Sequence, residues 1–191
     1  NGYCTGTFIG PHTMLTAAHC IRAAGGTGSS GGSGLMMRVS GQAPTGWRVP
    51  RNYGKGGGSN YPLDIAVVEF PHSAEAFPTS RVATQASNVG DRVEMVGYGL
   101  TRHHDGSTGG VRRAGSNVLK MHDMGQYLVQ WNTGDEPARA SPMPGDSGGP
   151  LFNADGDLIG TVNEGSGDGV RSGGRLSYMG AFVDVNDPEI R

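Results

Sequence analysis

Ser147 stands in Pro144-Gly145-Asp146-Ser147-Gly148-Gly149-Pro150, one hydroxyl among three glycines and two prolines, with a carboxylate directly before it. A serine hydroxyl is a weak nucleophile at neutral pH. It needs a base to take its proton and donors to hold the oxyanion it creates. Glycines around it let the backbone take left-handed conformations and let another chain approach closely. If the loop curls so that the N–H groups of Gly145 and Ser147 converge, they form an oxyanion hole, and losing one such donor costs about 3 kcal/mol of transition-state stabilisation. His19, in Thr16-Ala17-Ala18-His19-Cys20, is the candidate base, with small neighbours that leave its ring room. Asp64 opens the apolar run Asp64-Ile65-Ala66-Val67-Val68-Glu69-Phe70, where a solvated aspartate would be out of place. A carboxylate there would fix the imidazole tautomer and stabilise the imidazolium. Taken singly, these are a glycine turn with an incidental serine, an ordinary histidine and a strand-start aspartate. Taken together they supply nucleophile, base and orienter for acyl transfer.

The elements that must position them are short strands. Residues 6–10, 14–17, 35–39, 47–49, 64–70, 92–99, 116–121, 127–131 and 178–185 read as strands from apolar, β-branched or alternating residues. Residues 150–152 and 158–162 flank Asn153-Ala154-Asp155-Gly156-Asp157, which predicts a hairpin with an Asp-Gly turn rather than a calcium loop. Ala17 to Cys20 allows one helical turn, and Asp187-Pro188-Glu189 looks like a helix start with no body after it. Helix signals are otherwise nearly absent, so the fold class is all-β, a sandwich or barrel.

Composition narrows the function. The 191 residues carry 15 Lys+Arg against 17 Asp+Glu, a formal net charge of -2, which gives no reason to expect nucleic acid or an anionic membrane as partner. No apolar run approaches the roughly 20 residues of a membrane span, and no secretory signal stands at the start. The chain has 35 glycines, with dense runs at 25–34 and 54–59 and no collagen period, as in a β protein with glycine-rich surface loops. Cys4 and Cys20 could be free thiols, half of a metal site or one disulfide. His12 and His19 do not complete a credible metal set at this spacing, so no metal is expected. A disulfide is favoured; closing this loop would contribute about 3 kcal/mol and implies an oxidising compartment, hence a secreted or periplasmic protein.

"TAAHC", "DIAVV" and "GDSGGP", in the chain order His19, Asp64, Ser147, resemble the three signatures of the trypsin/chymotrypsin serine endopeptidases. "VGYG" at 96–99 is similar to that family's Gly-aromatic-Gly strand end, and Cys4 and Cys20 match the disulfide bracketing its histidine. The resemblance implies two six-stranded antiparallel β-barrels with the site in the cleft between them, about 1–85 and 86–191, within a single peptidase domain. It implies His19 as general base, Asp64 as orienter, Ser147 as nucleophile, and the Gly145 and Ser147 N–H groups as oxyanion hole. Asp146 would turn inward to support the loop. The substrate is then a protein or peptide, and no cofactor is implied.

The sequence also departs from the family pattern. The family's first strand, whose freed N-terminus pairs with the aspartate before the nucleophile, has no counterpart before Cys4. The expectation is a separate or missing N-terminal segment, or an internal cation on Asp146 from Arg112, Arg113 or Arg139. The residue implied at the floor of the specificity pocket is Ser141, and its walls are implied at Asn163, Glu164 and Gly165 and at Gly173 and Gly174. A serine floor implies an apolar or broad preference at P1, the residue before the scissile bond. Residues 23–46 hold no Asp or Glu, so the family's calcium loop is not expected. A non-catalytic binding protein on the same fold is the alternative from another class. A quality-control protease fits less well, because of the cysteine pair. An esterase on an α/β-hydrolase fold fails on chain order and on the β-rich context.

Overall fold

The computed structural model describes residues 3–54, 63–72, 77–102, 105–134, 139–165, 169–172 and 174–190. In its N-terminal part lie β1 (Thr7–Gly10), β2 (Thr13–Thr16), α1 (Ala18–Ala23), β3 (Ser30–Gly31), β4 (Gly46–Arg48) and β5 (Ala66–Glu69). These strands form an antiparallel sheet in the order β1-β2-β5-β4-β3. β5 is central, paired to β2 through Leu15↔Val67 and to β4 through Trp47↔Val68. A central strand must be apolar, and the buried Ala66 and Val68 explain the run that begins at Asp64.

The C-terminal part holds β6 (Arg92–Gly97), β7 (Arg113–Asp123), β8 (Gln126–Asn132), β9 (Pro150–Phe152), β10 (Leu158–Gly165), β11 (Val170–Ser172) and β12 (Arg175–Asp184). Pairing runs β10-β9-β6-β7-β8-β12, and β10 pairs again with β12, so six strands close into an antiparallel barrel. Closure leaves those six strands without a free sheet edge, and β11 adds to β12 outside the ring. The barrel is filled by Val93, Leu119, Tyr127, Val129, Leu151, Ile159 and Phe182, all at or below 1% exposure, at the one-face-in alternation a barrel requires. A separate cluster joins the two parts: Leu15 and Ile65 from the first pack with Leu158, Val183 and Val185 from the second. The catalytic candidates lie along this seam.

The all-β expectation is met. Three local expectations are corrected. Residues 35–39 are not a strand: Val39 makes only an isolated bridge with Gln42, and Leu35 is buried by a loop in the N-terminal core. Apolar residues on a packed loop gave the same signal as a strand. The glycine run at 25–34 holds β3, whose Gly31 lies against the Trp47 indole. Asp187 to Ile190 is a turn, with the Ile190 N–H donating to Asp187 O and the Glu189 N–H to the Asp187 carboxylate.

Candidate active site

His19 sits in the first turn of α1, a helix of six residues. Its N-cap, Ala17, has no side chain to satisfy the first N–H groups. Asp64 supplies the acceptor instead: its Oδ1 receives the His19 backbone N–H at 2.8 Å. The other oxygen, Oδ2, receives the ring Nδ1 at 2.6 Å. One carboxylate thus fixes both the backbone and the ring of His19. With Nδ1–H donating, Nε2 carries the lone pair. The His19 side chain is 40% exposed and that of Asp64 7%, so the imidazole reaches the cleft while its partner is sealed behind it. Tyr53 lies beside the same carboxylate. Its hydroxyl is pushed up to about 12, first by burial and then by the charge and hydrogen bonding of Asp64. The Arg22 guanidinium covers its ring at 5.6 Å.

The nucleophile loop is tied to this helix by two residues. Cys4 is disulfide-bonded to Cys20, the residue after His19. Thr5, next along, donates its N–H to Ser147 O at 2.8 Å and its hydroxyl to Gly145 O at 2.9 Å, and it accepts the Tyr98 N–H at 3.3 Å. Its own carbonyl accepts the Thr16 hydroxyl at 2.8 Å. From the other direction Gly148, at φ +81°, brings the loop so close to α1 that a Cβ there would stand 2.7 Å from the Ala17 N and 2.5 Å from Thr5 O. The segments that carry His19 and Ser147, 128 residues apart by number, are therefore packed closely against each other. The grouping of Cys4, His19 and Cys20 puts ligand-type atoms within 4.8 Å of one another, but both sulfurs are bonded to each other.

Gly145 has φ +98°, a conformation that disfavours any side chain. Among the described residues, the N–H groups of Gly145 and Ser147 donate to nothing, while the Asp146, Gly148 and Gly149 N–H groups are all bonded. Asp146 turns inward. Its Oδ1 accepts the Gly99 N–H at 2.8 Å and its Oδ2 the Met143 N–H at 2.9 Å. Burial raises its carboxyl above the ordinary range, and these two amides and the Arg113 charge oppose that rise. Of the three candidate cations, Arg113 is the one that acts on Asp146. Its guanidinium donates to Gly99 O at 3.3 Å and Val111 O at 3.2 Å. Behind Asp146 a cavity of about 300 Å³ is lined by Gly97, Leu100, Arg113, Ala140 and Met143 among others.

The glycines of "VGYG" make room for this carboxylate. A Cβ at Gly99 would stand 2.6 Å from the Asp146 Cγ, and one at Gly97 would overlap Oδ1. Gly99→Ala is expected to destabilise the fold by about 1–3 kcal/mol through overpacking. Because the atom it displaces holds the nucleophile loop, kcat should fall at least about tenfold even in the folded fraction. Thermal unfolding and active-site-titrated kinetics separate the two effects.

The pocket candidates are distributed unevenly. Ser141 has a buried Oγ with no hydrogen-bond partner among the described residues. Asn163 is buried, and Glu164 and Gly165 are exposed at the end of β10. Gly174 lies in the turn between β11 and β12, at φ +81° with nothing within 4 Å of a would-be Cβ. Gly173 lies outside the described residues. The glycine that faces Gly165 across the strand pair is Gly180.

The pH behaviour follows from His19. Its pKa is raised above 6.5, chiefly by the hydrogen bond that its ring donates to Asp64, with burial opposing and the Asp64 charge adding. A base must be neutral, so kcat/KM should rise with pH through an apparent pKa above 6.5. Stability runs the other way. A raised folded pKa stabilises the protein fully below the unfolded value, and that contribution is lost as pH rises through the folded pKa. A pH profile of kcat/KM with its acid midpoint below 6.5 would contradict this account.

A closed six-stranded barrel joined to a second β-sheet, with an Asp–His pair and a glycine-bound serine at their seam, defines a chymotrypsin-like serine hydrolase architecture. The trypsin family model matches residues 1–187, and the chain belongs to the trypsin family of serine endopeptidases. Among solved structures it is similar to a Glu endopeptidase determined in complex with MPD, at 20% identity and a TM-score of 0.63, over 98% of this chain and 81% of that one. That likeness supports the fold. No curated protein sequence matches the chain.

Proposed function

We propose that this protein is a secreted endopeptidase that hydrolyses peptide bonds through an acyl-enzyme on Ser147. The observation that carries the reading is the double grip of Asp64 on His19, which leaves Nε2 as the basic atom beside the nucleophile loop. His19 takes the Ser147 Oγ proton as Oγ attacks the carbonyl carbon. The carbonyl oxygen becomes an oxyanion held by the Gly145 and Ser147 N–H groups. His19 then returns the proton to the leaving amine. A water, deprotonated by the same nitrogen, releases the acid and restores the serine. Asp64 orients the ring and offsets the imidazolium charge. Asp146 and Thr5 hold the loop in the shape that aims both N–H groups at one point. Arg113 serves as the internal cation for Asp146. The disulfide agrees with export to an oxidising compartment.

Rapid mixing with an activated peptide ester tests the reading. A burst of one leaving group per protein, with an acyl adduct trapped at low pH, is expected. Linear release without an adduct would refute a covalent intermediate.

A further inference from the structure

We propose that Pro142 fills the P1 subsite from within and restricts this protease to glycine or alanine before the scissile bond. The inference rests on the acyl-enzyme reading above. The subsite lies between the segment 141–143 on one side and the strand pair β10–β12 on the other, where Gly165 and Gly180 face each other. Two glycines there would leave a slot wide enough for a large side chain. The slot is occupied instead. Pro142 is buried. A Cβ at Gly180 would overlap its Cδ and stand 2.5 Å from its Cγ, and a Cβ at Gly165 would overlap its carbonyl oxygen and stand 3.4 Å from the same Cγ. The ring therefore bridges both walls. Beyond it the Ser141 Oγ is buried and unpartnered among the described residues, cut off from any substrate atom.

A proline cannot clear this slot by a rotamer change, because its ring is bonded to its own backbone. Opening it requires moving the 141–143 backbone, which Asp146 anchors through the Met143 N–H. Main-chain recognition remains possible. β9 pairs with β10 only as far as Thr161, so an extended peptide can add along Glu164 and Gly165, past the end of β9. The side chain of that peptide then meets the proline ring. Glycine has nothing to place there and alanine only a methyl. Leucine, phenylalanine, glutamate and arginine collide.

The test is a set of peptides identical except for Gly, Ala, Leu, Phe, Glu or Arg at P1, assayed with the wild type and with Pro142→Ala. The wild type should favour Ala over Phe by about 100-fold or more in kcat/KM, the discrimination expected when a side chain finds no pocket. In Pro142→Ala that ratio should shrink at least about tenfold. A merely structural role would slow all peptides together and leave the ratio in place, which would overturn the proposal. If the variant does not fold, Pro142→Ser and the wild-type profile decide, because wild-type cleavage after Leu, Phe, Glu or Arg as fast as after Ala overturns it alone. Fluorophosphonate labelling of each protein keeps the two readings apart. No adduct on Ser147 refutes the acyl-enzyme and this inference with it; an adduct with a flat P1 profile refutes this inference only.

Discussion

Ser147→Ala is expected to lower kcat on any cleaved peptide by about 10⁴–10⁶-fold while leaving KM within a few-fold. In the proposed mechanism Oγ is the atom that forms the new bond. The N–H groups of Gly145 and residue 147 survive the change, so substrate binding and oxyanion stabilisation persist. The residual activity over solution is then what those donors supply. Stability should change little, because Ser147 is only half-buried and its backbone carbonyl keeps its bond from Thr5. Steady-state kinetics at matched concentrations of folded protein check the loss. Activity retained within tenfold would mean that another group attacks.

Asp64→Asn is expected to cost about 10⁴-fold in kcat near neutral pH with the fold intact. Asp64 accepts two hydrogen bonds on one His19, from N at 2.8 Å and from Nδ1 at 2.6 Å. An amide has one oxygen and one NH₂. It can accept only one of these bonds and turns a donor towards the other. If the oxygen stays on the backbone N–H, the NH₂ faces Nδ1 and favours the tautomer whose proton sits on Nε2, where it cannot serve as base. The charge that raises the His19 pKa disappears as well, so the acid limb of kcat/KM should move down in pH. A loss under tenfold, or an unmoved limb, would show that Asp64 does not orient the base.

The pairing of Asp64 with His19 and the tight glycine loop at Ser147 were legible in the sequence because each lies in a run whose composition is otherwise hard to explain. A carboxylate opening a buried strand and a serine wrapped in glycines are both local anomalies. The inward turn of Asp146 was implied by the resemblance, but not that Gly97 and Gly99 make room for its carboxylate. Thr5 and Tyr53 were not legible. Thr5 works through a backbone N–H and a hydroxyl reaching more than 90 residues along the chain to Tyr98 and beyond, and no local pattern marks such a residue. Tyr53 approaches Asp64 from a loop beside a glycine run. The pairing of Gly180 opposite Gly165 was not legible, because register between these strands depends on the bulge between Val162 and Glu164. The barrel's closure through β10 and β12 is likewise a non-local pairing, invisible to periodicity.

The central claim is that Ser147 is an activated nucleophile in an assembled site. Its most direct test is intact mass after incubation with a fluorophosphonate at neutral pH, followed by peptide mapping. A single phosphonyl adduct on Ser147, absent in Ser147→Ala and slowed as pH falls below the His19 pKa, is the expected result. A wild-type protein that stays unmodified, or an adduct that persists in Ser147→Ala, would contradict it.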